Sequence, residues 1–393
     1  MPLDDGTIYL DHAATTPTDP AVLARMLPYF SASFGNASSI YRLGRQSMEA
    51  VDAAHDTVAT ILGARASEIV FTGGGSEADN LAIKGIASSA RRRGTHIVTT
   101  SVEHHAVLHT CQQLEREGFR VTYLPVDATG RVSAEQVAAA LTDETALVTI
   151  MYANNEVGTI QPIAEIGAIC RARRIPFHTD AVQAGGLADL DVRALNVDLL
   201  TLSAHKFYGP KGVGILYVRQ GMRLQPQTLG GSQERNRRAG TENVPGVVGA
   251  AEALRLAQAH RAEEAARLAA LRDQLIAGVL RIPGTRLTGH PTLRLPHSAS
   301  FTITGVEGES LLLNLDLLGI AASSGSACTT GSVEPSHVLT AMGVAPDEAR
   351  GHLRLTLGAS TTERDIAAVL EHLPQVVERL RALSTAPAGV ALP

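Results

Sequence analysis

The chain has 393 residues, of which 45% are hydrophobic and 19% are charged, a balance typical of a packed globular protein. This length predicts roughly two or three domains. The formal net charge of −5 and the isoelectric point near 6.3 provide no attraction for nucleic acid or an anionic membrane, so neither is expected as a partner.

The N-terminus and the cysteines indicate a compartment. Residues 1–5 lack the basic start and the apolar core of a signal peptide, and no apolar span is long enough to cross a bilayer. The three cysteines are too few and too scattered for a disulfide framework or a zinc-finger spacing. We therefore expect a cytoplasmic protein that is neither secreted nor membrane-spanning.

Short β-rich runs alternate with amphipathic stretches in the first part of the chain. The runs span residues 68–72, 95–101, 120–125, 146–152, 175–180, 197–203 and 213–219. Because a helical pattern follows each of the first five, the alternation predicts an α/β layer with a largely parallel sheet. Only residues 204–212 separate the last two runs, too few for a crossover helix, so we expect that pair to be antiparallel and the sheet to be mixed.

The second part of the chain predicts a smaller α/β domain. An Ala-, Leu-, Arg- and Glu-rich stretch after residue 243 has helical composition until Pro283 and is interpreted as the link between domains. Strands are predicted at 298–304 and 353–357, and helices at 308–318 and 362–383. The predicted division is a large domain of residues 15–255, a small domain of residues 1–14 and 256–383, and a frayed tail of residues 384–393.

A glycine-rich turn, residues 73–75, follows the first β-rich run and precedes a helical pattern. Its bare N–H groups and the positive end of the helix dipole could hold a phosphate. The spacing matches neither a dinucleotide fingerprint nor the phosphate loop of nucleoside triphosphatases. A tight strand–helix junction explains the same glycines equally well.

Polar residues follow several predicted strands, at the edge where open α/β sheets bind ligands. Asp180 could bind a cation or a protonated ring nitrogen, or cap the helical pattern that follows. Asn155 suits ligand binding and turn chemistry alike. His205 and Lys206 bring a primary amine to the same edge. A phosphate cradle, an acid for a pyridinium nitrogen and an amine for an aldehyde together match what pyridoxal phosphate requires.

Three histidines offer a competing metal site. His105 and His109 would share a helix face, as metal ligands do, but no third ligand is evident, so helix-surface histidines and no metal are expected. His104, at a predicted strand-to-helix junction, is better placed for a role at the sheet edge.

Cys328 is the candidate working thiol. It lies in a run of small residues at about 322–333 that has no hydrophobic periodicity, which predicts a mobile loop and an exposed nucleophile. Cys111 and Cys170 fall in helical patterns, where an inert core position is expected.

Taken together, these motifs resemble the cysteine desulfurases of the nitrogen-fixation and iron–sulfur-cluster class. That class belongs to the fold-type I, aspartate aminotransferase-like enzymes, which have a large domain with a mainly parallel mixed sheet and a smaller α/β domain. The likeness spans nearly the whole chain and is carried by residues 9–17, 71–85, 103–104, 154–159, 179–183, 203–212, 240–243, 324–335 and 354–358.

The resemblance implies a role for each matching residue. Lys206 would bind pyridoxal 5'-phosphate as a Schiff base and act as base at the substrate Cα, Asp180 would hold the pyridinium proton, and His104 would stack on the ring and serve in proton transfer. The other implied cofactor contacts are Gly75, Ser76, Asn155, Gln183, Ser203, His205 and Thr241, the last reaching in from the partner subunit of a homodimer. Arg354, with Asn155, would hold the substrate carboxylate.

The implied reaction converts L-cysteine to L-alanine and transfers the sulfur to Cys328 as a persulfide. The sulfur then passes to an acceptor protein such as an iron–sulfur scaffold, whose cluster could bind near Cys328, or to other sulfur-compound biosynthesis. The alternative is a selenocysteine lyase or another β-eliminating lyase of the same fold, for which Cys328 would be dispensable. A sulfur-relay module without catalysis is disfavoured because Lys206, Asp180 and His104 are all present.

Overall fold

The computed structural model describes residues 6–324 and 335–385, which form strands and helices in alternation along much of the chain. The strands are β1 (Ile8–Tyr9), β2 (Ile69–Thr72), β3 (His96–Thr100), β4 (Arg120–Leu124), β5 (Thr145–Thr149), β6 (Phe177–Asp180), β7 (Leu199–Ser203), β8 (Gly214–Val218), β9 (Thr285–Leu287), β10 (Ser298–Ile303), β11 (Ile320–Ala321) and β12 (His352–Thr356). The α-helices are α1 (Pro20–Met26), α2 (Pro28–Ser31), α3 (Arg42–Leu62), α4 (Gly75–Ala90), α5 (His105–Arg116), α6 (Ala134–Ala140), α7 (Ile163–Ala172), α8 (Gln233–Asn236), α9 (Val244–Ala259), α10 (Arg261–Val279), α11 (Gly308–Asp316), α12 (His337–Ala341), α13 (Pro346–Ala349) and α14 (Glu363–Thr385).

The main sheet has seven strands in the order β2-β8-β7-β6-β5-β3-β4. Strand β8 is antiparallel to both of its neighbours, and the remaining pairs are parallel. The predicted mixed sheet and its antiparallel last pair are therefore confirmed. Successive residues of the inner strands enter two separate core clusters, as Ile215 and Leu216 do, because neighbouring side chains point to opposite faces of a sheet.

One predicted helical stretch is wrong. Between β6 and β7 the chain forms a series of turns and no helix. The Asp191 side chain accepts hydrogen bonds from the N–H groups of Arg193 and Ala194, at 2.8 and 3.2 Å, so it competes with helix formation. Gly185 also lies where a Cβ would come within 2.6 Å of the Phe207 ring, so the chain passes close to the sheet here.

The second part of the chain has its own core, which the N-terminal segment joins. Strands β12, β10 and β9 form an antiparallel sheet, and β1 pairs with β11 in parallel. Leu10 belongs to the same buried cluster as Leu268 and Leu373. The predicted linking helix is two helices, α9 and α10, which meet at His260, and the closing helix extends to Thr385. In the ranges described, no helix is both long and apolar enough to span a membrane.

Candidate active site

Lys206 closes a single 3-10 turn, Ala204–Lys206, directly after the buried strand β7. Its Nζ donates hydrogen bonds to the carbonyl oxygens of Ala13, at 2.5 Å, and Ala14, at 2.8 Å. The side chain is half-buried and lines a cavity of about 270 Å³. The N-terminal segment therefore positions the amine, although 192 residues of chain separate Ala14 from Lys206.

Asp180 is the last residue of β6 and is only 6% exposed. Its Oδ1 accepts the N–H of Val182 at 2.9 Å, which is an Asx turn and not the cap of a helix. Burial raises the pKa of the Asp180 carboxyl to about 6, although the Val182 N–H and the charge of Lys206 oppose the shift. One donor atom each from Asp180, His104 and Asp79 lies within 4.8 Å of the other two.

His104 is the N-cap of α5, as its place at the strand-to-helix junction predicts. Its Nδ1 accepts the N–H of Ala106 at 3.1 Å, so the proton of a neutral ring lies on Nε2. Burial, and after it the positive charge of Lys206, lowers the pKa of His104 to about 4. The imidazole is therefore neutral at neutral pH and offers a hydrogen-bond donor at Nε2.

The predicted phosphate cradle lies where α4 meets the end of β7. A Cβ at Gly75 would come within 2.9 Å of the Val182 side chain and 3.2 Å of the Ser203 Cβ, so only glycine permits this approach. The N-cap of α4 is Gly74, which has no side chain to cap the helix, so the first N–H groups of α4 can bind a ligand. Ser76 is exposed and shares the wall of a 650 Å³ cavity with His104.

Two further predicted contacts are close to the N-terminal segment. Gln183 Nε2 donates to the Ala13 carbonyl at 3.0 Å, the same oxygen that accepts from Lys206. His205 is 3.1 Å from the Thr15 hydroxyl through Nδ1. Burial lowers the pKa of His205 to about 4, with Lys206 adding to the effect, so this ring is neutral as well.

Arg354, in the middle of β12, is only 2% exposed. Its Nη1 donates to the Asn155 carbonyl at 2.8 Å, and its Nη2 donates to Asp11 Oδ1 at 2.7 Å. The buried Nε has no acceptor among the described residues. The guanidinium is therefore fixed in orientation and retains N–H groups for a carboxylate, a buried donor set that a substrate could satisfy.

Two predicted residues are not brought into this group. Thr241 is exposed in the loop before α9, and within the described single chain no hydrogen bond joins it to the other predicted residues. Cys328 lies outside the described residues. Cys111 and Cys170 are buried free thiols, as their helical patterns predict, and burial raises the pKa of both, that of Cys170 to about 12.

His105 and His109 share a face of α5, with ring centroids 5.1 Å apart. The ring of His337 lies 4.8 Å from that of His105, so a third imidazole that the sequence did not indicate is present. His105 and His109 line the 650 Å³ cavity, which fits the predicted surface position on the helix.

Sequence reasoning missed three acids in or beside the site. Asp79 and Glu103 are buried near Asp180, and Asp11 pairs with Arg354. The signal for Asp79 is present in the sequence, because it lies at helical spacing from Gly75, Ala82, Ile83 and Ile86, on a face of α4 that is otherwise apolar. Its partner Asp180 is 101 positions away, and only the fold brings the two together.

The donor set fits pyridoxal phosphate. The uncapped helix end at a glycine-only contact suits the phosphate, the buried Asp180 suits a protonated ring nitrogen, and the Lys206 amine suits the aldehyde. The mixed sheet presents all three at the carboxyl ends of its strands. This fold and site define a pyridoxal phosphate enzyme of fold type I.

The chain belongs to the class-V aminotransferase family, whose model matches residues 8–369. It is similar to the cysteine desulfurase IscS of Methanosarcina thermophila, with 54% identity over 381 residues that cover 97% of this chain and 94% of the relative. A solved NifS-like protein superposes with a TM-score of 0.90 and 36% identity, over 95% of this chain and 100% of that one. A solved structure described as SspA in complex with cysteine has 40% identity and a TM-score of 0.80, over 89% of this chain and 99% of that one.

The position of His104 predicts a pH-dependent stability. Because its pKa is lowered to about 4 in the folded chain, unfolding takes up a proton between about pH 6.5 and pH 4, and the stability that neutral His104 contributes is lost as the pH falls. His104→Asn removes this uptake but keeps a capping side chain. In urea unfolding of the cofactor-free protein, the free energy of unfolding of His104→Asn should fall less steeply than that of the wild type as the pH is lowered from about 6.5 to 4. The two slopes should differ by up to about 1.4 kcal/mol per pH unit.

Two control variants distinguish the helix-capping effect of His104 from the effect of proton uptake by its ring. His104→Ala loses the cap as well and should cost about 1 kcal/mol at neutral pH, where His104→Asn costs little. Gln112→Asn, which changes an exposed and uncharged side chain of the same helix, should leave the slope unchanged. An unchanged slope in His104→Asn would show that the ring is charged in the folded protein.

Proposed function

We propose that the chain is a cysteine desulfurase that releases the sulfur of L-cysteine at the Lys206 site and captures it on Cys328, with L-alanine as the second product. The observation that carries the proposal is the convergence of an amine, a buried acid and an uncapped helix end at one sheet edge. The reaction is supported by the 54% identity, over 97% of this chain, with a protein described as cysteine desulfurase IscS.

Each predicted contact has its own task in holding the cofactor. Lys206 would supply the amine for the aldehyde, and Asp180 would interact with the ring nitrogen. The start of α4 at Gly75 and Ser76, with Ser203 and His205, would hold the phosphate, while Gln183 and Asn155 would bind near the ring oxygen. His104 would contact the ring and donate from Nε2, since Nδ1 is engaged by the Ala106 N–H.

Bound pyridoxal phosphate supplies a protonated ring nitrogen that draws electrons from the bonds at the substrate Cα. Lys206 takes the Cα proton. The Ala13 and Ala14 carbonyls accept hydrogen bonds from Nζ, and they hold the amine at one place in the site. His104 assists proton transfer as a hydrogen-bond donor, because its neutral tautomer carries the proton on Nε2.

Arg354 binds the substrate carboxylate. Its guanidinium is held by Asp11 on one terminal nitrogen and by the Asn155 carbonyl on the other, and its buried Nε still lacks an acceptor among the described residues. A guanidinium can donate two parallel hydrogen bonds to one carboxylate, and a lysine ammonium cannot form such a bidentate pair. Orientation of the amino acid therefore depends on an arginine that is itself oriented by two protein groups.

The Cys328 thiolate attacks the substrate sulfur, so a sulfur–sulfur bond forms as the carbon–sulfur bond breaks. The electron pair of that bond goes to the carbon, which takes up a proton and leaves as L-alanine. The thiol of Cys328 becomes a persulfide, and no external oxidant is consumed. The persulfide then passes to an acceptor protein such as an iron–sulfur scaffold.

We further propose a homodimer. Exposed apolar side chains are concentrated between α1 and the start of α3: Leu23 at 46%, Leu27 at 56%, Phe30 at 61%, Phe34 at 66%, Ile40 at 89% and Tyr41 at 57%. Exposed large apolar side chains that are concentrated in one segment favour contact with a partner, and a second copy is the occupant that would also bring Thr241 to the neighbouring site.

We also propose a cytoplasmic location and a division into two domains. A cytoplasmic location agrees with the free thiols of Cys111 and Cys170. The division into residues 15–255 and residues 1–14 with 256–383 agrees with the core that Leu10 shares with Leu268.

Borohydride reduction tests the cofactor assignment. Reduction of the purified protein followed by peptide mass mapping should place a pyridoxyl group on Lys206, since its amine lies at the site. Lys206→Ala should abolish the label, and Lys211→Ala, five residues further on, should retain it. A label elsewhere, or none, would overturn the assignment.

Cys328→Ala separates sulfur transfer from β-elimination. Loss of the nucleophile should remove the persulfide and lower alanine formation from L-cysteine by at least roughly 100-fold, while the cofactor stays bound. Cys170→Ala removes a buried thiol and should leave turnover intact. Release of sulfide from L-cysteine by Cys328→Ala at the wild-type rate would favour the selenocysteine lyase or another β-eliminating lyase.

Phe34→Asp tests the dimer. A charge in the proposed interface should convert the protein from dimer to monomer in sedimentation velocity, and cofactor affinity should fall as the partner's contacts are lost. Leu317→Asp, at an equally apolar position that is 83% exposed at the end of α11, should remain a dimer. A wild-type protein that sediments as a monomer would contradict the proposal.

A further inference from the structure

Asp79 is a buried acid that none of the steps of the proposed reaction uses directly. It lies one turn into α4 and is 1% exposed. Its Oδ1 is buried and has no hydrogen-bond partner among the described residues. A carboxylate in such a position carries a large desolvation cost unless a cation or several donors compensate it.

The neighbouring histidine does not compensate the charge. His178 Nε2 is 3.6 Å from Asp79 Oδ1, but its two nitrogens are engaged by the hydroxyls of Thr149, at 2.8 Å, and Thr201, at 3.0 Å. Burial lowers the pKa of His178 to about 3, so the ring is neutral. Among the described residues, no cation therefore faces Asp79 from β6.

Asp79 and Asp180 cannot both be charged. Each contributes an atom to a group whose members lie within 4.8 Å of one another, and both side chains are buried. Two carboxylates this close in a poorly solvated place retain one proton between them. Asp180 Oδ1 has the Val182 N–H as a donor, whereas Asp79 Oδ1 has no donor among the described residues, and the Thr201 hydroxyl is the neighbouring group that favours the charged form of Asp79.

We propose that Asp79 is a protonated, uncharged acid that shares the buried space with Asp180 and confines the single negative charge of the pair to Asp180. Asp79 is a positioning residue that acts through Asp180. Its role in the reaction rests on the proposed function, in which Asp180 interacts with the ring nitrogen of the cofactor. Because Asp79 keeps the proton, Asp180 is the acid of the pair that is ionised.

The groups around Asp79 agree with this assignment. Burial is the main cause that raises the pKa of Asp79 well above its ordinary value, followed by the charge of Asp180; the Thr201 hydroxyl opposes the shift, and Glu103 adds to it. Glu103 accepts from the Thr100 hydroxyl and the Met151 N–H, and burial raises its pKa to about 8. The remaining titratable groups near the pair are His178, which is neutral, His104, which is also neutral and has a ring nitrogen within 4.8 Å of both acids, and Lys206, whose charge acts on Asp180.

Infrared spectroscopy of the full-length protein measures the proton directly. The C=O stretch of a protonated carboxyl lies apart from that of a carboxylate, and labelling with ¹³C-aspartate shifts only aspartate bands, so Glu103 is excluded. At neutral pH one label-sensitive band of a protonated aspartate should be present. It should vanish in Asp79→Asn and persist in Asp347→Asn, whose side chain is 94% exposed.

The reciprocal variant tests the coupling. Asp180→Asn removes the negative neighbour, so the pKa of Asp79 should fall and the band should titrate away at a pH lower by one unit or more. This measurement also serves if Asp79→Asn does not fold. Asp79→Asn, a neutral isostere, should leave the pH dependence of the bound cofactor's absorbance within a few tenths of a pH unit.

Three outcomes would overturn the proposal: no protonated aspartate band at neutral pH, a band that survives Asp79→Asn, or a band that Asp180→Asn does not move. Each is independent of where borohydride places the cofactor. If the label is absent from Lys206 and the Asp79 band behaves as expected, the proposed function fails and the proton assignment stands.

Discussion

The close approach of helix α4 to the end of strand β7 is the contact on which the site depends. Gly75 permits it, because any side chain there would meet Val182 and Ser203. The approach brings an uncapped helix N-terminus to the carboxyl edge of the sheet, where it can bind an anion. It also carries Asp79, one turn further along, into the interior beside Asp180. One glycine thus determines both where the end of α4 could bind a phosphate and which acids are buried together.

Burial makes the polar groups of the site differ in charge from exposed groups of the same kind. His104, His205 and His178 are neutral because burial lowers their pKa values, and Asp79 is neutral because burial raises its own. Asp180 is the exception, since the Val182 N–H and the charge of Lys206 both favour its ionised form. Asp180 is therefore the carboxylate that the proposed cofactor site offers to a ring nitrogen, and Lys206 is its amine for an aldehyde.

The N-terminal segment connects the two cores through this site. Leu10 is buried in the core of the second part of the chain, Asp11 fixes Arg354, and the Ala13 carbonyl accepts hydrogen bonds from Lys206 and Gln183. A displacement of this segment would disturb the Lys206 amine and the Arg354 guanidinium together. The segment is thus a structural link between the proposed cofactor site and the proposed substrate site, which lie on different sheets.

The sequence by itself determined the alternation of strands and helices, the antiparallel last pair and the places of Lys206, Asp180 and His104 at the ends of strands, because hydrophobic periodicity, crossover length and strand ends are local properties of the chain. It predicted a helix after β6 where Asx turns form, and it gave no role to Asp79 or Asp11. Those roles arise from contacts across 101 and 343 positions of chain, Asp79 with Asp180 and Asp11 with Arg354. Only the tertiary structure decides them, since desolvation and pairing depend on what lies nearby in space, and neither is encoded in the neighbours along the chain.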